Sequence, residues 1–184
     1  MINSLYLIGG AGVGKTSLLQ ELNKDYVTQP AIRLHNLLWG EPLFSENTTG
    51  VRLGRPRSSF AGTDALGMAV NPDAVEWLTL GNLPKFICGE GQRLSNQRFL
   101  TTLRDVSNLT VICVVNNNSH VMRAQRAHDL GVREQSPSYV KATVTKSANL
   151  CSTLTTAGVR VVKLDNTNMS VSEAAINVRQ ICEN

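Results

Sequence analysis

Eight consecutive residues near the start of the chain constrain its fold more than any other feature. They are Gly9-Gly10-Ala11-Gly12-Val13-Gly14-Lys15-Thr16, which is the spacing G-x-x-x-x-G-K-[ST]. An apolar run at residues 5–8 precedes them, and residues 15–22 follow with leucines at helical spacing. A glycine-rich turn between a strand and a helix is the context in which this spacing forms a phosphate-binding loop. The motif therefore predicts an α/β protein that binds a nucleoside triphosphate.

The residue types of this loop suit ATP, which is the nucleotide that we expect. Glycines allow successive backbone N–H groups to point at phosphate oxygens, and the helix N-terminus adds partial positive charge. Lys15 is expected to contact the β- and γ-phosphates, and the Thr16 hydroxyl group to ligate Mg²⁺. The predicted ATP-binding residues are Gly9, Gly10, Ala11, Gly12, Val13, Gly14, Lys15, Thr16 and Ser17, together with Arg123 further along the chain.

The rest of the chain alternates apolar runs with segments of helical spacing. Strands are predicted at residues 31–34, 85–88, 109–115 and 159–164, with helices between them. Strands that alternate with helices form a parallel sheet covered on both faces, so the predicted class is α/β. Two segments lack this pattern: residues 36–70 are predicted to form a long substrate loop, and the polar, basic residues 119–137 to form a lid.

Length and composition predict one domain. The chain has 184 residues, 42% of them hydrophobic, so we treat residues 1–184 as undivided. No run of about eighteen apolar residues is present, and residues 1–4 lack the charged start of a secretory signal. We therefore expect a cytoplasmic protein with no membrane anchor. The four cysteines have no C-x-x-C spacing, which argues against disulfide and zinc sites.

The net charge of +4 is concentrated in two segments. Residues 51–64 contain three arginines against one acid, and residues 119–146 contain five lysines and arginines against two acids. The remainder of the chain has a slight acidic excess. This distribution favours a site that faces a polyanion, although two solvated loops would carry the same charge.

Two large classes of nucleotide-binding protein do not fit the chain. Residues 64–67 have the D-x-x-G spacing of a GTPase switch, but no strand directly precedes Asp64 and the guanine-binding N-K-x-D is missing. A ring ATPase needs a helical lid domain, for which 184 residues leave no room. Small phosphoryl-transfer kinases fit the length, and they need a carboxylate after a second core strand, a substrate loop and a basic lid.

Two carboxylates are candidates for the chemistry of such a kinase. Glu90 follows the predicted strand 85–88, where it would face Mg²⁺, and Arg93 lies within the next turn. Glu90 would alternatively cap the following helix. Asp64 would act as a base on the acceptor hydroxyl group or would cap a helix that begins after it. The predicted metal ligands are thus Thr16 and Glu90.

Arginines supply the remaining predicted contacts with phosphate. Arg123, Arg126 and Arg133 would contact the transferring phosphate from the lid or form a solvated helix face. The predicted catalytic residues are Lys15, Asp64, Glu90, Arg93 and Arg126, and the predicted substrate-binding residues are Arg52, Arg55, Arg57, Asp64 and Arg133. Trp39 and Trp77 are expected to be packing residues, although Trp39 falls in the long loop where a base could dock.

Three segments, residues 60–68, 89–100 and 135–146, carry a family resemblance. They resemble small phage-encoded P-loop kinases, often labelled nucleotide or thymidylate kinases, which include the 5-hydroxymethyluracil DNA kinases. The resemblance spans about residues 5–155 and implies a nucleoside and nucleotide kinase fold with a five-stranded parallel sheet. It implies that Lys15 and Thr16 hold ATP and Mg²⁺ and that Asp64 and Glu90 are catalytic. Arg93 and the arginines between 123 and 133 would contact phosphate.

The spacing after Glu90 bears on the acceptor. An ordinary thymidylate kinase has an acid followed directly by arginine, whereas Gly91 and Gln92 separate Glu90 from Arg93. The leading interpretation is an ATP-dependent kinase that phosphorylates the hydroxymethyl group of 5-hydroxymethyluracil in DNA, working in the host cytoplasm if phage-encoded. The alternative is a deoxynucleoside monophosphate kinase acting on free nucleotides. The third hypothesis is a non-catalytic ATP-binding module. The joint presence of Lys15, Thr16, Glu90 and several arginines argues against it, since binding alone needs fewer such residues.

Overall fold

Strands and helices alternate along the part of the chain that the computed structural model describes, which is residues 1–56, 62–129, 131 and 133–183. The strands are β1 (Asn3–Gly9), β2 (Val27–Thr28), β3 (Ile32–His35), β4 (Leu38–Phe44), β5 (Thr49–Leu53), β6 (Phe86–Glu90), β7 (Asn108–Val115) and β8 (Arg160–Asp165). The helices are α1 (Lys15–Leu22), α2 (Val70–Thr79), α3 (Gln97–Val106), α4 (Ser119–Asp129), α5 (Pro137–Thr156) and α6 (Val171–Glu183). A short 3-10 helix, Gly62–Ala65, precedes α2.

The strands form one mixed sheet. Five of them run parallel to their neighbours in the order β5-β6-β1-β7-β8. β4 pairs antiparallel with β5, and β2 and β3 both pair antiparallel with β4. The predicted α/β class and its five parallel strands are confirmed, and the antiparallel strands extend the sheet beyond β5.

The predicted long loop over residues 36–70 is wrong for much of its length, because β4 and β5 lie within it. β5 supplies the fifth parallel strand, whereas residues 31–34 contribute to the antiparallel β3. Gly40, Pro42 and Gly50 interrupt the alternating pattern that marks a strand in a sequence. Pro42 is tolerated because it lies between the parts of β4 that pair with β2 and with β3.

Helices cover both faces of the sheet. Tyr6 and Ile8 of β1 lie in a buried cluster with side chains of α2, α3 and α5, whereas Leu5 and Leu7 lie in a second cluster with α1 and α6. Alternate residues of a strand point to opposite faces, so β1 is buried between two layers. Each fully buried apolar side chain contributes about 1.5–3 kcal/mol to this packing.

The carboxyl ends of the parallel strands meet at one edge of the sheet, which we call the carboxyl edge. β1 ends there at Gly9, where the phosphate loop begins, and the neighbouring β6 ends there at Glu90. Ligands of open α/β sheets bind outside this edge. Among the described helices, none combines the length and the apolar character needed to cross a membrane.

Candidate active site

The phosphate loop connects β1 to α1. Gly12 and Gly14 have φ angles of 76° and 88°, a left-handed conformation that residues with a side chain rarely adopt. Lys15 begins α1, and its Nζ donates hydrogen bonds to the carbonyl oxygens of Gly9 at 3.0 Å and Gly10 at 2.8 Å. The loop therefore lies between a strand and a helix as expected, with the ammonium group of Lys15 folded back over it.

Two carboxylates act on the ammonium group of Lys15. Burial lowers the pKa of Lys15, and the negative charges of Glu90 and Asp64 oppose that shift. Charges perturb a pKa in this way when they are close to the titrating group. Contacts place these groups together at the carboxyl edge. A Cβ atom added to Gly91, the residue after Glu90, would lie 3.1 Å from Asp64 Cγ. Glu90 in turn accepts a hydrogen bond from Thr16, the residue after Lys15.

Glu90 lies directly beside the phosphate loop. Its side chain is only 4% exposed, and its Oε1 accepts a hydrogen bond from the Thr16 hydroxyl group at 3.0 Å. Gly62 packs so closely that a Cβ atom there would lie 2.5 Å from this Oε1, so the contact requires glycine. The alternative in which Glu90 caps the following helix is wrong, because the Asn96 side chain caps α3 by accepting from Phe99 N–H.

Thr16 and Glu90 supply the oxygen donors that Mg²⁺ prefers. This ion is usually bound by one or two carboxylates together with phosphate oxygens of a substrate. Within the described parts of the chain, no group of three or more His, Cys, Asp and Glu side chains is placed to hold a metal ion. A single carboxylate 3.0 Å from a hydroxyl group thus fits an Mg²⁺ ion that arrives with a nucleotide.

Asp64 approaches the same point from the 3-10 helix. Its half-buried carboxylate accepts a hydrogen bond from the Gln92 N–H at 2.5 Å, which ties Asp64 to the turn after β6. No residue in the described ranges donates a hydrogen bond to the second oxygen, Oδ2. The helix-capping alternative for Asp64 is wrong, because this carboxylate bonds to another element and the N-cap of α2 is Ala69.

Tyr6 links the segments that carry the two carboxylates, and no sequence motif marks it. Its hydroxyl group donates to the Gly91 carbonyl oxygen at 3.1 Å and lies 3.2 Å from the Thr63 hydroxyl group. Thr63 precedes Asp64 and Gly91 follows Glu90, so one buried side chain contacts both segments. Burial raises the pKa of Tyr6, and the two carboxylates add to that shift. The sequence signal is a hydroxyl group within the otherwise aliphatic run at residues 5–8.

Tyr6→Phe should lower both the stability of the fold and the turnover. The free energy of unfolding is expected to fall by about 1–3 kcal/mol, because a buried hydrogen-bonding group is lost while the Gly91 carbonyl keeps its bond from Ser95. We expect turnover to fall by about tenfold, because the two carboxylates lose a shared anchor. Urea denaturation and steady-state kinetics measure both effects. Tyr26→Phe is the control, since the Tyr26 hydroxyl group has no hydrogen bond with a described residue. Equal turnover in the Tyr6 and Tyr26 variants would contradict the linking role of Tyr6.

Two arginines have buried N–H donors without a hydrogen-bond partner among the described residues. Arg123, on α4, covers the phosphate loop, and its Nη1 donates to the Ala11 carbonyl oxygen at 3.3 Å and to the Ser119 hydroxyl group at 3.2 Å. The Nε atoms of Arg123 and Arg93 are buried without a hydrogen-bond partner among the described residues. Leaving a buried donor unpaired costs about 1–3 kcal/mol. The Nε atom of Arg123 therefore suits an anionic ligand at the phosphate loop, and that of Arg93 suits one near the turn after β6.

The other predicted arginines have different surroundings. Arg52 on β5 forms an ion pair with Glu41, with 2.6 Å between Nη2 and Oε2, so its charge is compensated. Arg55 follows β5, and its Cζ lies 5.4 Å from the centroid of the Trp39 ring. Arg133 is exposed after α4, whereas Arg57 and the side chain of Arg126 lie outside the described part of the chain.

A cavity of about 490 Å³ opens beside Gly14 at the start of α1. Asn116 and Asn166 line it with amide groups, and Met122 and Met169 line it with apolar side chains. Small-molecule sites of this size combine apolar walls with a few polar groups. These residues come from the end of β7, from α4 and from the turn after β8, so no local sequence pattern marks the cavity.

The geometry agrees with a comparison against protein families. The family model described as P-loop Nucleotide Kinase3 matches residues 2–169. The chain belongs to this family. A comparison with curated proteins gave no match.

Membership in the P-loop nucleotide kinase 3 family establishes the general activity. The chain is a P-loop kinase, a phosphotransferase that uses a nucleoside triphosphate. The matched residues include the phosphate loop, both carboxylates and α4. The resemblance to P-loop nucleotide kinases is therefore confirmed at the level of the family, and the identity of the acceptor is a separate question.

Proposed function

We propose that the protein transfers the γ-phosphate of ATP to the hydroxymethyl group of 5-hydroxymethyluracil in DNA. The observation that carries this proposal is the second carboxylate, Asp64, which bonds to the turn directly after Glu90. One oxygen of Asp64 is held by the Gln92 N–H, and no described residue donates to the other. The second oxygen is therefore available to an acceptor group.

An alcohol acceptor needs such a carboxylate, and a nucleotide acceptor does not. A hydroxymethyl group loses its proton as its oxygen attacks phosphorus, so a base within hydrogen-bond reach accelerates the transfer. The phosphate group of a nucleoside monophosphate is already largely ionised at neutral pH and attacks without a base. Asp64 thus favours the alcohol over the alternative acceptor, a deoxynucleoside monophosphate, and a non-catalytic module would not need it.

On the donor side, ATP is proposed to lie along the phosphate loop with its base in the cavity beside Gly14. Lys15 and Arg123 border the loop and would offset the charge of the phosphates. Thr16 and Glu90 would hold Mg²⁺, which neutralises phosphate charge when bound. Arg93 and Arg126 are proposed to contact the transferring phosphate, while Asp64 takes the proton of the acceptor.

On the acceptor side, a base in duplex DNA reaches this site only after it leaves the stack. The basic segments 51–64 and 119–146 would then contact the phosphate backbone around it. Two sequence features support a DNA acceptor: the resemblance to the 5-hydroxymethyluracil DNA kinases, and the two residues that separate Glu90 from Arg93.

A panel of acceptors with γ-labelled ATP tests the proposal. Duplex and single-stranded DNA with 5-hydroxymethyluracil, the same strands with thymine, and free deoxythymidine monophosphate are incubated in parallel. We expect label only on DNA that contains 5-hydroxymethyluracil, in a form that a phosphomonoesterase releases. Lys15→Ala is the control for contaminating kinases. Label on the monophosphate and none on DNA would establish the alternative function instead.

A further inference from the structure

Two arginines and one tryptophan lie close together on the antiparallel side of the sheet. In the strand order this side follows β5 and lies away from β1 and the phosphate loop. The Cζ of Arg33 lies 5.3 Å from the centroid of the Trp39 ring, and the Cζ of Arg55 lies 5.4 Å from it. Arg33 is opposite Trp39 in the β3–β4 pair, and Gly54 N–H donates to the Trp39 carbonyl oxygen at 2.8 Å. The backbone therefore brings both arginines to one ring. We call Arg33, Trp39 and Arg55 the arginine clamp.

The clamp adjoins the candidate base. Arg55 donates its N–H to the Gly62 carbonyl oxygen at 3.3 Å and its Nε–H to the Ala65 carbonyl oxygen at 3.4 Å. Gly62 and Ala65 bound the 3-10 helix that carries Asp64. The clamp thus lies next to the place where the reacting group of an acceptor must lie.

The guanidinium groups of the clamp have no counter-ion among the residues that the structure describes. Among the described residues, neither Arg33 nor Arg55 forms an ion pair, whereas the nearby Arg52 and His35 each lie against a glutamate. Two like charges close to one ring repel each other, and an anion bound beside them would offset that repulsion. Two guanidinium groups beside one ring, without an ion pair among the described residues, favour the binding of an anion.

The geometry points to the arginine clamp as the subsite for a phosphate group of the acceptor nucleotide. Guanidinium groups bind phosphate through paired N–H donors. Trp39 is a positioning residue that holds both groups by cation–π contact before the ligand arrives. This inference rests on the proposed function, because it takes Asp64 as the place of the acceptor. The phosphate belongs either to the DNA strand beside the target base or to a free nucleotide.

Binding measured without ATP tests the clamp. Calorimetry with a short single strand that contains one 5-hydroxymethyluracil is compared with a strand in which neutral methylphosphonates replace the phosphates beside that base. Arg33→Gln should weaken binding of the charged strand by about tenfold and reduce the log–log salt slope by about 0.7. It should leave binding of the neutral strand unchanged. Lys85→Gln is the matched control, because it removes one exposed charge just before β6, at the opposite edge of the sheet.

The role of Trp39 has its own pair of variants. Trp39→Leu keeps an apolar side chain but removes the aromatic face. It should therefore weaken binding of the charged DNA strand by about threefold or more. Trp39→Phe restores an aromatic face and should recover most of that loss. A melting temperature for each variant shows that the fold is retained, and equal affinities for the Leu and Phe variants would overturn the positioning role.

Binding of deoxythymidine monophosphate, and of thymidine, which lacks the phosphate, is measured in the same way. This comparison identifies the source of the phosphate. If Arg33→Gln weakens binding of the monophosphate and not of the strand, the clamp holds the phosphate of a free nucleotide. If Arg33→Gln and Arg55→Gln bind both ligands as the wild type does, the clamp is overturned, even where the wild type phosphorylates DNA. A wild type that binds the strand through Arg33 but labels no acceptor supports the clamp and disproves the proposed function.

Discussion

Lys15→Ala should reduce kcat/KM for phosphoryl transfer by at least about 10²–10³-fold, the loss typical of removing one group that stabilises developing charge. The ammonium group of Lys15 already lies over the phosphate loop, with its Nζ 2.8 Å from the Gly10 carbonyl oxygen. In P-loop proteins this lysine contacts the β- and γ-phosphates. We expect the loss in kcat as well as in KM, because the charge on the transferring group changes in the transition state.

The same substitution should leave the fold nearly unaltered. Two hydrogen bonds to Gly9 and Gly10 are lost, but burial lowers the pKa of Lys15, so the buried charge is itself unfavourable. We expect the free energy of unfolding to change by about 1 kcal/mol. Thermal melting is measured beside kinetics, with Lys85→Ala as the control at the opposite edge of the sheet. Wild-type turnover in Lys15→Ala would remove the phosphate loop from the mechanism.

Four of the five parallel strands, β1, β6, β7 and β8, were predictable from local sequence, whereas β5 and the antiparallel β4 were not. β1 and β7 are covered on both faces, so each appears in the sequence as a continuous apolar run. β4 and β5 contain Gly40, Pro42 and Gly50, and they are strands because they pair with each other and bury Leu43 and Val51. A pattern read along the chain does not contain that pairing.

The candidate site shows the same contrast between residues that a local pattern marks and residues that it does not. The nucleotide side was predictable because its residues are consecutive, and Glu90 because it follows an apolar strand. Tyr6 and Asn166 have no such signal, since each contacts residues from distant parts of the chain. Tyr6 contacts the turn after β6, and the amide of Asn166 donates to the Val13 carbonyl oxygen at 3.1 Å. Their roles are properties of the folded chain.

Asp64→Asn and Glu90→Gln should both slow transfer to a hydroxymethyl acceptor, by about 10²–10⁴-fold for the loss of a general base. Each substitution keeps the size of the side chain and its oxygen acceptor, so the bonds from the Gln92 N–H and the Thr16 hydroxyl group are retained. The fold should therefore be little affected, and the charge alone is removed. Melting temperatures for both variants check this.

The response to Mg²⁺ distinguishes the two roles. If Glu90 helps to hold the ion, its loss weakens metal affinity, and raising the Mg²⁺ concentration should restore part of the activity by mass action. If Asp64 acts on the proton of the acceptor, Asp64→Asn should show no such recovery. Equal recovery of both variants by Mg²⁺, or full activity in either, would overturn the two assignments.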